Sequence, residues 1–279
     1  MNQLLALLLA LIFLLTGCGS AVTEVIPDEP EADLTAEEEP WAPETPEERL
    51  AYAFAGMESF TALEGEESLT FTGTIGGEPL SYTQAEFFNT SEVDTSSVTY
   101  YREVDWSALV GEEAITGSYN VSYESGSLVS RFESGTKESQ KATAAALSKN
   151  IRAVMTARTD AEAAAHYTVL GAAEEGSEVT FTADESWLTE LIDRSLTLMG
   201  EGYEFDLSGA IDTETPRTGE APACRATLDD AGQLRILELR TGEQVFTLED
   251  GTELSCSACY RLRIIARDDS VVPYIPGFT

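Results

Sequence analysis

Apolar and polar residues alternate along the chain between residues 69 and 123, which is the spacing of a β-strand with one buried face. In the first segment Leu69 and Phe71 alternate with threonines, and similar alternation follows at 98–106 and 119–123. Glycines separate these segments and are predicted to mark turns at positions 76, 77, 111, 117 and 126. The pattern predicts an antiparallel meander.

Three other segments repeat apolar residues every three or four positions, as an amphipathic helix does. The first is predicted to begin at Thr45, with Glu48 completing a capping box. An alanine-rich segment over 141–155 forms the second. Asp184 is predicted to cap the third, which ends near Gly200.

Strand-like patterns surround the third helix in the second half of the chain. The predicted strands cover 167–172, 177–183, 203–211, 224–228, 234–239 and 254–266. Runs of strands with a few separate helices are typical of the α+β class. We therefore predict one α+β domain over residues 45–279.

The N-terminus carries a predicted membrane anchor. Its apolar run, Leu4–Leu15, is too short to span a bilayer but has the length of a signal-peptide core. The run ends in LTGC at residues 15–18, which resembles the lipobox of bacterial lipoproteins, whose cysteine receives diacylglycerol before cleavage. We expect a signal peptide over 1–17, acyl chains such as palmitate on Cys18, and a location on the outer face of the cytoplasmic membrane. An ordinary secretory leader is the alternative.

The segment after Cys18 is predicted to be a disordered tether over residues 18–44. Residues 21–48 contain eleven acidic residues, five prolines and no basic residue, a composition that cannot form a core. It serves either as a stalk or as a solubilising spacer. The whole chain carries a formal net charge of −34, which disfavours binding to nucleic acids.

The order of these segments resembles the LolA-like superfamily, which includes lipoprotein carriers and mycobacterial LppX/LprG-type lipoproteins. The resemblance lies in the lipobox and acidic spacer, a helix ending near Ala62, a meander that begins at 69–73, a helical insert, and final strands that close on 272–276. It implies a curved antiparallel half-barrel whose concave face is covered by helices. In such relatives the cavity holds acyl chains.

A curved sheet under helices leaves a space that is either packed solid or open as an apolar cavity. Ordinary core packing is the alternative role for every candidate lining residue. These candidates are Phe71, Tyr82, Tyr100, Trp106, Tyr119, Tyr123, Phe181, Trp187 and Phe205.

Three cysteines remain besides Cys18, and an odd number in an exported protein leaves at least one unpaired within the chain. The alternation in the last strand places Cys256 on its apolar face and Cys259 on the opposite face. Cys224 also lies at an apolar position, so Cys224–Cys256 is the preferred disulfide if the two strands are close enough. The C-x-x-C spacing also allows a redox pair or a zinc site, although His166 is distant in sequence.

The sequence offers little for catalysis. His166 is the only histidine, and the motifs of hydrolase elbows, zinc proteases, P-loops and dinucleotide-binding folds do not occur. Ser134 and Lys137 fit the S-x-x-K spacing of serine acyl enzymes, but in a polar, glycine-containing connection. We therefore predict a protein that is not an enzyme and has no cofactor or metal.

Nearly all acidic residues fall at the polar positions of the alternating pattern, which predicts a solvated acidic face. Arg225, Arg261 and Arg263 also fall at outward positions, where cross-strand pairing with acids is expected.

The leading hypothesis is a non-enzymatic, membrane-anchored lipoprotein that binds an apolar or lipid-like ligand or a protein partner. A structural or adaptor lipoprotein with a closed core is the second hypothesis, and a serine acyl enzyme is the third.

Overall fold

The computed structural model describes residues 44–173, 177–200, 209–212 and 214–274. Its helices are α1 (Pro46–Glu58), α2 (Ala144–Thr156), α3 (Ala161–Ala164) and α4 (Glu185–Gly200), with a 3-10 turn at Asp268–Ser270. Its strands are β1 (Leu63–Ile75), β2 (Glu78–Ser91), β3 (Thr99–Val110), β4 (Glu113–Glu124), β5 (Ser127–Phe132), β6 (Lys137–Lys141), β7 (Tyr167–Ala172), β8 (Glu178–Ala183), β9 (Arg217–Gly219), β10 (Ala223–Leu228), β11 (Leu234–Arg240), β12 (Gln244–Thr247) and β13 (Glu253–Arg267). None of these helices has the length and apolar character needed to cross a bilayer. The predicted leader, Cys18, the tether up to residue 43, and Phe205 lie outside the described residues.

These strands pair antiparallel in one sheet, in the order β6-β5-β4-β3-β2-β1-β13-β11-β10-β8-β7. The first six strands form the predicted meander, and β13 returns from the end of the chain to pair with β1. β12 pairs with β13 and with the short β9. The sheet is not closed into a barrel, so the α+β half-barrel expected from the sequence is confirmed.

The strand register fixes which residues share a face of the sheet. Leu69 of β1 lies opposite Tyr260 of β13, and Phe71 lies opposite Ala258. Because side chains alternate along a strand, the odd-numbered residues of β1 and the even-numbered residues of β2, β3 and β13 share one face, which we call the inner face. The helices cover this concave face, and the opposite side is the outer face.

Two of the predicted helix starts are confirmed. The hydroxyl of Thr45 accepts a hydrogen bond from the Glu48 amide at 3.2 Å, and the Glu48 carboxylate accepts one from the Thr45 amide at 3.1 Å. The Asp184 carboxylate accepts a hydrogen bond from the amide of Trp187 at 3.1 Å. Each cap satisfies amide groups that the first helical turn leaves unpaired.

The packed core lies where the helices meet the inner face. Helix α1 contacts β7, β8 and β11, whereas α4 contacts β1, β2 and β13. Fully buried side chains there include Phe60, Phe71, Phe88, Phe181, Leu188, Ile192, Leu196, Leu237 and Leu239. The burial of this apolar area is the main stabilising contribution to the fold.

Two predictions about local structure need correction. Gly117 does not mark a turn but lies inside β4 opposite Trp106, and a Cβ atom on Gly117 would lie 2.8 Å from the Trp106 indole. Gly117 therefore gives the ring room rather than reversing the chain. The strand predicted over 203–211 falls mostly outside the described residues, and its described part, 209–211, is not a strand.

Candidate functional site

The predicted lining residues divide into two groups on the inner side of the sheet. Phe71, Tyr82, Phe181 and Trp187 are buried in the packed core, where each is at most 4% exposed. Tyr100, Trp106, Tyr119 and Tyr123 are only half-buried on β3 and β4. Ordinary core packing therefore describes the first group. The second group is partly exposed, and its members Tyr100, Trp106 and Tyr123 pack against the edge of the same core.

This partly exposed set continues onto β5, and we call it the aromatic face. It comprises Tyr100, Trp106, Ile115, Tyr119, Tyr123, Leu128 and Phe132, all of them half-buried. The Tyr119 and Phe132 rings lie 5.8 Å apart, and the Tyr123 hydroxyl donates a hydrogen bond to the Ala142 carbonyl at 3.2 Å. Aromatic side chains with polar ends suit a surface that is apolar on one side and reaches solvent on the other.

A line of polar side chains runs along the inner face beside the aromatic face. The Tyr82 hydroxyl donates to Gln84 Oε1 at 2.8 Å, and the Gln84 amide donates to Glu86 Oε2 at 3.4 Å. Glu86 Oε2 also accepts a hydrogen bond from Arg102 Nη2 in a direct ion pair. The side chain of Glu86 is 0% exposed and that of Arg102 is 12% exposed, so this charged pair lies inside the half-barrel.

The pair is not fully satisfied. Glu86 Oε1 and Arg102 Nε are buried and have no hydrogen-bond partner among the described residues. Burial raises the pKa of Glu86 to about 7, although the neighbouring Arg102 acts in the opposite direction. Burial lowers the pKa of Arg102, but Glu86 and the neighbouring Tyr100, Tyr119 and Glu67 together outweigh this effect and raise it. Burial also raises the pKa of Tyr100 to about 12.

Glu86 is an exception to the expectation that nearly all acidic residues lie at outward positions, and its partner Arg102 was not among the candidate residues. Glu86 was missed because no strand was predicted over the residues that form β2. A signal was present, since Glu86 has the same parity along β2 as Leu80, Tyr82 and Phe88, whose burial places them inside. A charged residue at an apolar position of the pattern is therefore the feature that identifies this pair.

The outer face carries a second feature, a basin of about 310 Å³ above β13, β1, β2 and β3. Arg261 and Arg263 line one side, and Glu103 and Asp105 line the other. Arg263 also pairs with Glu66 at 3.2 Å. The predicted cross-strand pairing of the outward arginines is therefore confirmed at this position.

The other two predicted outward arginines, Arg225 and Arg261, lie with Arg240 around the nearly buried carboxylate of Glu238. Glu238 accepts hydrogen bonds from Arg240 at 2.6 Å and Arg225 at 3.3 Å, and Arg261 lies 4.0 Å away. Burial raises the pKa of Glu238, but the hydrogen bonds from the arginines outweigh it and lower the pKa.

The three described cysteines are all free. Cys224 and Cys256 are buried on the inner face, as predicted, but the predicted disulfide between them is not formed. The physical reason is the strand order, because β11 lies between β10 and β13 and keeps the two residues on strands that do not pair. Cys256 and Cys259 lie on opposite faces of β13, so the C-x-x-C spacing does not bring their thiols together. Burial raises the pKa of the Cys259 thiol.

The candidate catalytic residues lie apart from one another and near the surface. His166 Nδ1 lies 2.6 Å from Asp184 Oδ2 at the start of α4, and the hydrogen bond to Asp184 raises the pKa of His166. Ser134 lies in the exposed turn before β6, and its hydroxyl donates to Thr136 Oγ1 at 3.0 Å. Across the described ranges, no three His, Cys, Asp or Glu side chains are grouped as metal ligands would be.

No protein-family model and no curated protein sequence matches the chain. Among solved structures, a porin-like protein from Bacteroides uniformis matches at 11% identity over 74% of this chain and 96% of that chain, with a TM-score of 0.25. A DUF1329 family protein from Desulfovibrio piger matches at 9% identity over 78% and 91% of the two chains, with a TM-score of 0.23. A beta-barrel-like protein of domain of unknown function DUF1849 from Brucella abortus matches at 13% identity over 75% and 100%, with a TM-score of 0.22. The fold assignment rests on the strand pairing of the chain itself.

Proposed function

We propose that this protein is a non-enzymatic, membrane-anchored lipoprotein that binds an apolar or lipid-like ligand on the inner side of its half-barrel. The observation that carries the proposal is the aromatic face. The helix-covered half of the inner face consists of buried side chains, whereas seven apolar side chains on β3, β4 and β5 stay half-buried beside a buried ion pair. An apolar surface with a few polar groups is the usual composition of a ligand site.

Native mass spectrometry of the full-length protein purified from membranes tests ligand binding. We expect lipid that co-purifies, and we expect added hexadecyl chains to form adducts after delipidation. Tyr119→Ala removes one ring from the aromatic face and should weaken binding by roughly tenfold, because a lost aromatic contact is typically worth about 1–1.5 kcal/mol. Phe87→Ala, which removes a ring from the outer face of β2, is the matched control and should leave binding unchanged. Failure of a folded protein to take up any chain would exclude the proposal.

The anchor is a separate part of the proposal. Cys18 receives the acyl chains, and the acidic segment that follows holds the domain away from the outer face of the cytoplasmic membrane. Two or more acyl chains anchor a protein stably, whereas one chain is marginal. The sequence order that resembles the LolA-like superfamily supports this assignment. Cys18→Ala should move the protein from the membrane fraction to the soluble fraction, and the mass of the mature protein should contain a diacylglyceryl group.

A structural or adaptor lipoprotein is the second candidate, and the outer face favours it. Tyr274 is 45% exposed and packs against Phe87 and Tyr101, with ring centroids 6.3 and 4.4 Å away. An exposed aromatic group beside a basin suits a protein partner. This candidate predicts that the folded protein binds neither co-purifying lipid nor added hexadecyl chains, so the same experiment separates the two functions.

A further inference from the structure

The Glu86–Arg102 pair makes only part of the contact that its chemistry allows. A guanidinium and a carboxylate can form two parallel hydrogen bonds. Here Glu86 Oε2 accepts one from Arg102 Nη2, while Glu86 Oε1 and Arg102 Nε have no partner within the part of the chain that the structure describes. The pair therefore presents one free acceptor and one free donor inside the half-barrel. Unpaired polar atoms at such depth are rare in native proteins and require an explanation.

Two further charged groups of opposite sign act on Glu86. Glu67 of β1 lies opposite Glu86 in the strand register and acts electrostatically on it, and Arg194 of α4 acts on it with the opposite sign. The pair and these two groups, two carboxylates and two guanidinium groups, together carry no net charge. A further net charge placed here would be buried without a counter-charge, which is strongly unfavourable.

We propose that the Glu86–Arg102 pair is the head-group end of the inner-face site and that it selects an apolar ligand with an uncharged, hydrogen-bonding head, a hydroxyl or a primary amide. This inference rests on the proposed function. A hydroxyl or amide donates to Glu86 Oε1 and accepts from Arg102 Nε, which satisfies both unpaired atoms without adding charge. The half-buried Tyr100, two residues before Arg102 on the same face, connects this end to the aromatic face that holds the chain.

The test is a competition that measures head-group preference at constant chain length. The full-length protein in detergent is incubated with an equimolar mixture of hexadecanol, hexadecanamide, hexadecanoate and hexadecylamine, and native mass spectrometry measures the ratios of the adducts. Wild-type protein should retain mainly the alcohol and the amide. Glu86→Gln leaves Arg102 without its counter-charge and should shift the ratio of alcohol to carboxylate by at least about tenfold towards the carboxylate, since hydrogen bonds to charged groups are worth more than neutral ones. Arg102→Gln should shift the preference towards the amine.

Two further variants separate a charge effect from loss of structure. The double variant E86Q/R102Q restores a neutral site and should restore the preference for neutral heads, which a misfolded protein would not do. Asp105→Asn removes an exposed carboxylate from the outer face of β3 and should leave all ratios unchanged. Near-UV circular dichroism confirms the fold of each variant, and if one single variant does not fold, the other single and the double variant carry the test.

The outcomes distinguish this inference from the proposed function. If wild-type protein binds all four chains and the ratios do not change in the single variants, the inference is overturned and ligand binding stands. The same holds if the two free atoms bind only an ordered water, because the head-group ratios would then not depend on the pair. If folded wild-type protein binds none of the chains, the proposed function itself is overturned, and the inference with it.

Discussion

Replacement of one or both members of the Glu86–Arg102 pair should give a strongly non-additive set of stabilities. Arg102→Met leaves a carboxylate whose side chain is 0% exposed without the ion-pair partner that the described residues give it. Glu86→Leu leaves a guanidinium whose side chain is 12% exposed without its partner. Each single change should lower the free energy of unfolding by about 3–5 kcal/mol, because an unpaired charge in the interior is costly.

The double variant E86L/R102M removes both charges and fills the space with apolar atoms beside Val104 and Val121, which are themselves buried. The wild-type pair already carries a desolvation cost and leaves two polar atoms unpaired. The double variant should therefore lie within about 2 kcal/mol of the wild type, on either side of it. The interaction energy from the cycle should then be several kcal/mol, above the usual range for neighbouring residues.

Urea unfolding of the four proteins measures the cycle. With an m value of roughly 3 kcal/mol/M for a domain of this size, each single variant should lose about 1–2 M in its midpoint. Losses that add up in the double variant would contradict the reasoning.

The stability of these proteins should also depend on pH. A buried carboxylic acid with a raised pKa contributes stability below its ordinary pKa, and this contribution is lost as pH rises through the raised value. The lone Glu86 in Arg102→Met should have a still higher pKa, so this variant should fall further below the wild type at pH 8 than at pH 5.

Three further predictions concern single residues. His166 is the only histidine of the chain, so its NMR titration is unambiguous. Its pKa should lie above the ordinary 6.5 and should return towards that value in Asp184→Asn, and an unchanged titration would refute the assigned contact. The stabilisation by this contact should be present below pH 6.5 and should be lost as pH rises through the raised pKa. Arg158→Met should lower the free energy of unfolding by about 2 kcal/mol in a urea titration. The buried guanidinium packs against the Trp187 and Tyr260 rings and forms an ion pair with Glu190. A loss below about 0.5 kcal/mol would show that these contacts contribute little. Gly117→Val should displace the Trp106 ring, change the near-UV circular dichroism and cost about 1–3 kcal/mol, whereas an unchanged spectrum would mean that the strand moves instead.

Many elements of this fold were predictable because the alternation along their strands is nearly regular, although β2, β5, β6 and β12 were not predicted. The last strand was predicted over 254–266 and is found at Glu253–Arg267, and both Thr45 and Asp184 cap the helices they were expected to cap. Local patterns of this kind depend on residues close in sequence. They do not depend on how the strands are ordered in space.

The strand order was less accessible, because it depends on contacts between distant residues. β1 pairs with β13, which lies almost 200 residues further along the chain, and β11 lies between β10 and β13. The preferred disulfide failed for this reason, since the inward direction of Cys224 and Cys256 was predicted correctly and their separation was not. The predicted turn at Gly117 was wrong for a different reason. Glycine occurs both where the chain reverses and where a large ring needs room, and the sequence alone does not distinguish these two roles.

The energetics of the ion pair also bear on the choice between a ligand-binding protein and a closed structural domain. A domain that needed only a stable core would gain nothing from a buried Glu86 and Arg102, because apolar residues of similar size would stabilise it equally well. If E86L/R102M is as stable as the wild type but no longer discriminates between hexadecyl chains with different heads, the pair serves ligand selection. If the double variant is much less stable and binding is unaffected, the pair serves the fold, and the adaptor function becomes the better description. Stability and head-group preference measured on the same four proteins therefore decide between the two functions.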